Sequence, residues 1–176
     1  MQHFSASPRE MLTSISRNWP LLKVLVKREV IGRYRGSVFG ILWSFFNPLF
    51  MLLVYTFVFT IVFKSRWSGQ SDSKSEFALI LFAGLLVFNL FAECVNRSPS
   101  LIISNTNYVK KVIFPLEILP MVALGSAFFH MLISLGVWTL FYWVIIGVPH
   151  ITILFLPFVL FPLIFITLGI SWLLTS

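Results

Sequence analysis

The feature that most constrains this chain is a dense basic segment that runs directly into a long apolar run, between residues 27 and 55. Lys27, Arg28, Arg33 and Arg35 come first, and Trp43 stands near the start of the apolar run. A helix over residues 39–63 rises about 37 Å at about 1.5 Å per residue, more than the hydrocarbon thickness of about 30 Å. Because basic residues favour the cytoplasmic flank of a span, we predict that residues 39–63 cross a membrane and that the basic segment lies at its cytoplasmic face.

Composition and three further apolar runs predict an all-α integral membrane protein. The chain is 58% hydrophobic and 11% charged, whereas globular proteins carry about a quarter charged residues. Residues 77–95, 116–146 and 151–174 are each long enough to cross a bilayer. The first twenty residues have no apolar core, so we expect no cleavable signal peptide and a retained first span.

A helix is predicted from Pro20 to Arg35, with proline in the first turn, where it is tolerated. Its leucines share one side and its lysines the other, which favours an amphipathic helix at the membrane interface over an ordinary solvated helix. Glu29 and Arg33, four residues apart, are predicted to neutralise each other. The interfacial basic residues are Lys23, Lys27, Arg28, Arg33 and Arg35. We accordingly divide the chain into a cytoplasmic tail and interfacial helix, 1–36, and a transmembrane domain, 37–176.

The distribution of basic residues predicts the orientation. With four spans, ten of the thirteen lysines and arginines fall on the side of the N-terminus and of residues 96–115. Lys64, Arg66 and Lys74 fall on the other side. This asymmetry predicts a cytoplasmic N-terminus. Since topology accounts for the net charge of +7, we expect no nucleic-acid partner.

Prolines and polar residues predict the interruptions. Pro48 predicts a kink or break in the first span, and Ser98-Pro99 predicts a break after the second. Residues 99–114 combine apolar and basic side chains on the cytoplasmic side, which favours a docking element over a helix lying among lipid headgroups. Its candidate contact residues are Ser100, Leu101, Asn105, Asn107, Tyr108, Lys110, Lys111 and Phe114.

Several polar and aromatic residues inside the spans are candidates for a transport pathway. Asn89, Glu93 and Asn96 form one helical stripe, which fits a polar pathway or a partner surface, or plain hydrogen bonding between helices. Ser126, His130 and Ser134 form a second stripe, for which close helix packing is the favoured interpretation. Aromatic rings of the first span fit either a sugar-stacking channel or a lipid-facing belt. The candidate channel-lining residues are Trp43, Phe46, Tyr55, Asn89 and Glu93.

Motifs for chemistry are missing from the sequence. It has no G-x-x-x-x-G-K-[ST] phosphate loop, no H-E-x-x-H zinc motif and no arrangement of a catalytic triad. Cys94 is the single cysteine, which excludes a disulfide within the chain and a cysteine-based zinc site. We therefore expect neither catalytic residues nor a metal, and no ATP hydrolysis by this chain alone.

Two stretches resemble signatures of a known transporter family. Residues 33–43 read RYRGSVFGILW and residues 47–49 read NPL, which resembles the R-Y-R-x-S-x-L-G-x-x-W…P-L signature of ABC-2 type permeases, with Phe39 in place of leucine. Residues 104–120 read SNTNYVKKVIFPLEILP. They resemble the S-N-x-x-L-[IV]-K-K-V-x-F-P-x-E-I-L-P segment of the branch that exports O-antigen, capsular and teichoic-acid polysaccharides.

The resemblance implies a permease subunit in a bacterial inner membrane that exports a lipid-linked polysaccharide. It implies a homodimer that pairs with two ATP-binding subunits, which would hold ATP and magnesium, so that this chain needs no cofactor. Residues 100–114 would be the coupling helix seated on the ATPase, and the first span would border the channel. The family has six spans and this chain shows four, so we expect a chain truncated at its C-terminus.

Two other functions stay open from the residues alone. One is a proton-coupled carrier that uses Glu93 and His130. The other is a truncated membrane scaffold that transports nothing.

Overall fold

A computed structural model describes residues 17–62, 74–106, 115–148 and 151–175, and all regular structure in these ranges is helical. We number the α-helices α1 to α6. They are α1 (Trp19–Arg33), α2 (Trp43–Phe57), α3 (Lys74–Arg97), the short α4 (Leu101–Ser104), α5 (Ile118–Ile145) and α6 (Leu156–Thr175). Turns of 3-10 helix at Gly40–Leu42, Ser98–Ser100 and Ile151–Phe155 lead into α2, α4 and α6, and a π-helical turn at Val58–Val62 extends α2.

Within the described residues, four helices are long and apolar enough to cross a membrane, which confirms the predicted all-α membrane class. They cover Gly40–Phe57, Phe77–Ser104, Ile118–Ile145 and Ile151–Thr175. Each coincides with one of the four predicted spans. The second is longer than predicted because the helical path continues through the 3-10 turn into α4.

Helix α5 is the centre of the fold and packs against α1, α2, α3 and α6. One buried cluster joins α2, α3 and α5 through Leu52, Phe82 and Val137. A second cluster joins α3, α5 and α6 through Leu90 of α3, Met131 of α5 and Leu160 of α6. α5 therefore contributes to both clusters, and the other helices are placed by their contacts with it.

The outer surface is strongly apolar. Phe158 and Leu173 of α6 are each 77% exposed, and Val144 of α5 is 82% exposed. A water-soluble monomer does not leave so much apolar surface uncovered. These side chains therefore face lipid or protein within a bilayer.

Neither Pro48 nor Pro99 interrupts the helical path in the way the sequence predicted. Helix α2 continues without a break through Pro48, which is buried within it. Of the predicted kink or break, the break is therefore wrong and the kink stays a prediction. Pro99 lies in the 3-10 turn between α3 and α4, where the Ser98 hydroxyl donates to the Cys94 carbonyl oxygen at 2.7 Å. The predicted break there is a tightened helical turn, since 3-10 geometry accommodates proline in its first positions.

Candidate functional site

Helix α1 lies along the first half of α5 and runs in the same chain direction. Its leucines Leu22 and Leu25 are buried against Ile118 and Val122 at the start of α5. Farther along both chain segments, eight to twelve residues after these contacts, the Tyr34 side chain contacts His130 of α5. The predicted division of α1 into a leucine side and a lysine side is confirmed, because Lys23 and Lys27 are exposed. The buried leucines contact protein, and the placement of α1 at the membrane interface stays a prediction.

Close approach of α1 to α5 depends on Gly125. A Cβ atom at this position would lie 2.7 Å from Cγ2 of Val26, a separation that packed carbon atoms do not tolerate. Glycine thus lets the two helices approach at a point where any side chain would push them apart. Small residues serve the same purpose in other membrane helix pairs.

Four charged side chains join α1 to α3 near the end of both helices. Arg33 forms an ion pair with Glu93, and Glu29 forms one with Arg97. Nη1 of Arg97 also lies 3.6 Å from Oε1 of Glu93. The four side chains are between 24% and 34% exposed. We call these residues the charge cluster; its formal charges sum to zero.

The charge cluster corrects one prediction. Glu29 and Arg33 were expected to neutralise each other within α1, yet both pair with residues of α3. The geometric reason is that α3 presents its own acid–base pair, Glu93 and Arg97, four residues apart. Two such pairs on facing helices give each of the four charges an oppositely charged neighbour across the interface.

Tyr34 connects the end of α1 to α5. Its hydroxyl lies 3.2 Å from Nδ1 of His130, a hydrogen bond whose donor is set by the histidine tautomer. The two rings meet edge to face with centroids 5.7 Å apart. Burial raises the pKa of Tyr34 above its ordinary value of 10, with Arg33 opposing and Glu93 assisting the rise. Tyr34 therefore stays protonated and able to donate throughout the neutral range.

His130 keeps an unused polar atom. Its Nε2 is buried and has no hydrogen-bond partner among the described residues, and the same holds for the Ser126 hydroxyl one turn earlier on α5. The Ser134 hydroxyl donates to the His130 carbonyl oxygen at 2.9 Å. Of the predicted stripe of Ser126, His130 and Ser134, His130 packs against Tyr34, a partner that the sequence did not indicate. The role of the stripe in close helix packing stays a prediction.

The last turn of α6 holds both ends of the predicted coupling segment. The indole nitrogen of Trp172 donates to the Glu117 carbonyl oxygen at 3.0 Å. The Thr175 hydroxyl lies 3.2 Å from the Ser98 carbonyl oxygen and shares its single proton between this oxygen and the Ser171 carbonyl oxygen of its own helix, at 2.6 Å. Ser98 precedes the segment and Glu117 follows it. The points at which residues 99–114 leave and rejoin the helices are therefore tied to one element.

Within the coupling segment, the structure places three of the eight candidates. Leu101 is buried, Ser100 is exposed, and the Asn105 side chain donates to the Leu101 carbonyl oxygen at 2.9 Å. The other five candidates lie outside the described residues: Asn107, Tyr108, Lys110, Lys111 and Phe114. Of the predicted coupling helix over residues 100–114, the structure gives one described turn, Leu101–Ser104.

The candidate interfacial cations separate into two groups. Arg33 belongs to the charge cluster. Lys23, Lys27, Arg28 and Arg35 are exposed. Lys23 lies over the ring of Trp19, with Nζ 5.5 Å from the ring centroid. The role of these basic residues at the membrane interface stays a prediction.

The five candidate channel residues occupy different surroundings. Trp43 and Phe46 both contact Phe39 in a group of rings at the start of α2. Tyr55 packs against Phe82 of α3, with ring centroids 6.2 Å apart. The last two lie on α3: Asn89 is exposed and Glu93 is in the charge cluster. A channel lined by these five stays a prediction, and only Glu93 takes part in the site.

Sequence reasoning missed Tyr34, Glu29 and Arg97 as members of one site. The available signal was the scarcity of acidic residues, six in the whole chain, combined with two acid–base pairs at a spacing of four. In so apolar a chain each carboxylate needs a cationic partner. Which cation it finds depends on helix packing.

The part of the chain that contains the site is similar to known proteins. The family model described as "ABC-2 type transporter" matches residues 20–176, which begin within α1 and include the whole site. An O-antigen export system permease protein, RfbA, of Myxococcus xanthus is 38% identical over 100 residues, covering 57% of this chain and 36% of the relative. Two proteins of the same name from Klebsiella pneumoniae are 30% and 26% identical over 152 residues, covering 86% of this chain and 56% of each relative. The chain thus spans about a third to just over half the length of these relatives.

Proposed function

Because the chain belongs to the ABC-2 type transporter family, we propose that it forms part of the membrane permease of an ABC exporter for a lipid-linked, O-antigen-like polysaccharide. The observation that carries the proposal is the similarity to relatives named O-antigen export permeases, 30% identical across 86% of this chain in one case. The transport step would be mechanical, and ATP would be hydrolysed on separate partner subunits.

The contacts at the end of α3 support a coupling role for residues 99–114. A segment that receives motion from an ATPase must pass it to the spans without bending at its ends. Of the residues that flank the segment, Glu117 accepts a hydrogen bond from Trp172 in the last turn of α6, and the Ser98 carbonyl oxygen lies 3.2 Å from the Thr175 hydroxyl of the same turn. Movement of the segment would then shift α3, α5 and α6 together, as in rigid-body switching.

The charge cluster and the Tyr34–His130 bond extend this path to α1. Arg33 and Tyr34 fix the end of α1 to α3 and α5 respectively. Six residues after Tyr34, the 3-10 turn that leads into α2 begins at Gly40. Displacement of α3 against α5 would therefore move the start of the first span, where a substrate path is proposed.

The proposed setting is the inner membrane, with the N-terminus and residues 96–115 in the cytoplasm. The excess of basic residues on that side supports it. Two copies of the permease would pair with two ATP-binding subunits, and ATP with magnesium would be held there. This chain would itself carry no cofactor.

Two experiments test the proposal. Deleting the gene in its host should abolish surface polysaccharide and accumulate lipid-linked polymer inside the cell; unchanged surface polysaccharide would contradict the export function. Replacing Lys110 and Lys111 by glutamate should reduce co-purification of the ATPase roughly tenfold or more, since like charges at a docking surface cost several kcal/mol. The charge-matched control K64E/K74E lies on the predicted opposite side and should leave co-purification unchanged.

The other two functions receive no support. A proton carrier needs Glu93 free to take and release a proton, but Glu93 is paired with Arg33 and lies 3.6 Å from Arg97. A scaffold without transport is not favoured by relatives that are named as permeases.

A further inference from the structure

A long apolar groove lies between α1 and α5 on the side of α1 that carries its lysines. Its volume is about 490 Å³, within the range of small-molecule sites. On α1 its walls are residues spaced by three and four from Trp19 to Ile31, and on α5 they are Met121, Gly125 and Phe129. At about 1.5 Å per residue, twelve residues of α1 give the groove a length of about 18 Å. The shape suits one extended hydrocarbon chain.

The groove has two chemically different ends. Lys23 and Lys27 stand four and eight residues after Trp19 along the groove, whereas Ile31, Ile41 and Phe129 form the far end. Trp19 is 49% exposed and Lys23 lies over its ring, a pairing typical of the headgroup level of a bilayer. One end therefore suits a phosphate and the other an acyl chain.

The two lysines are available for an anion. The ion pairs of the described residues use Glu29 and Glu93, and in these ranges neither Lys23 nor Lys27 has a carboxylate partner. Lysines beside a membrane surface each attract anionic lipid by about 1 kcal/mol. Along α5 the groove runs from Met121 to Phe129.

We propose that the groove between α1 and α5 binds one anionic phospholipid of the surrounding membrane. Its phosphate contacts Lys23 and Lys27, and one acyl chain lies over Gly125 toward Ile41. The bound lipid fills the gap beside the contact of Val26 with Gly125 and so holds α1 against α5. This inference concerns a structural lipid, and it goes beyond the polysaccharide that the exporter is proposed to carry.

The test is a lipid titration of the purified full chain in detergent, read by native mass spectrometry. Phosphatidylglycerol and phosphatidylcholine with identical acyl chains are compared. We expect one phosphatidylglycerol to bind at least tenfold more tightly than phosphatidylcholine, with phosphatidylglycerol affinity falling as salt rises. Equal affinity of the two lipids for the wild-type protein overturns the proposal without any variant.

Variants assign the lipid to the groove. K23Q/K27Q should weaken phosphatidylglycerol roughly tenfold or more, about fivefold for each lysine, and leave phosphatidylcholine unchanged. K64Q/K74Q removes the same charge from the predicted opposite side and should bind as the wild type does. I31S, at the exposed apolar end, should weaken both lipids while keeping the preference for phosphatidylglycerol.

Two results count against the groove as a phospholipid site. If K23Q/K27Q and K64Q/K74Q lose the preference equally, binding is a diffuse charge effect and the proposal fails. If a polyprenyl phosphate displaces phosphatidylglycerol at equal or lower concentration, the groove belongs to a lipid-linked substrate and the assignment is wrong. Export by K23Q/K27Q cells is a separate measurement, so failure here leaves the proposed export function standing.

Discussion

Arg33, in the last turn of α1, forms an ion pair with Glu93 of α3, sixty residues later in the chain. Both side chains are partly exposed, at 34% and 25%. The pair gives a basic residue of the RYRGSVFGILW stretch a structural partner inside a predicted span. It also explains how a carboxylate is retained within an apolar helix, since an unpaired one there is costly.

Removing either member of the pair should destabilise the fold. We expect R33Q or E93Q to lower the free energy of unfolding in detergent by about 1–2 kcal/mol, between the values for exposed and buried pairs. In a double-mutant cycle, R33Q/E93Q should show coupling of about 1 kcal/mol. R35Q, two residues on and exposed, is the control and should be neutral. Strictly additive single effects would mean that the pair does not act as a unit.

The hydroxyl of Tyr34 should matter through His130. In Y34F the histidine Nδ1 loses its partner, while Nε2 already lacks one in the described residues. We expect a loss of about 1–2 kcal/mol, the cost of an unpaired, partly buried polar group. Adding H130L removes that polar group and should recover most of the loss. If Y34F and the wild type unfold at the same concentration of denaturing detergent, the hydrogen bond between Tyr34 and His130 contributes nothing to stability.

Titration of Tyr34 should be shifted to alkaline pH. Burial raises its pKa above the ordinary 10, so the folded protein keeps a proton that the unfolded chain releases near pH 10. The resulting stabilisation is complete below pH 10 and is lost as the pH rises through the pKa of the folded state. Phenolate absorbance of the wild type minus that of Y34F should rise above pH 10. A midpoint at or below 10 would contradict the shift.

Gly125 should not tolerate a larger residue. In G125A the new methyl group meets Val26 at 2.7 Å, and we expect a loss of about 1–3 kcal/mol from overpacking. G125A/V26A makes room and should recover part of it. The matched control on the same helix is G136A, where a Cβ atom meets nothing within 4 Å. Because alanine favours helix, G136A should be neutral or up to about 1 kcal/mol stabilising. Equal effects of the two substitutions would sink the packing argument.

Several features of the molecule could be predicted without coordinates. The four spans follow from length and hydropathy, because a helix that crosses a bilayer must be apolar along its whole length. The leucine and lysine sides of α1 follow from helical periodicity. The two motif stretches indicate the family, and the family match covers residues 20–176. These are local or compositional signals, and each is complete within one segment.

Only the tertiary structure decided which residues meet. The spacing of Glu29 and Arg33 fitted an intrahelical pair, yet both cross to α3, because facing helices offered charges that local periodicity does not reveal. The passage of α2 through Pro48 likewise could not be read from proline's local preference. Tyr34 and His130 lie 96 residues apart, and Gly125 matters through Val26 of another helix. Sequence patterns set what each segment must bury or expose, whereas helix packing sets the partner with which it does so.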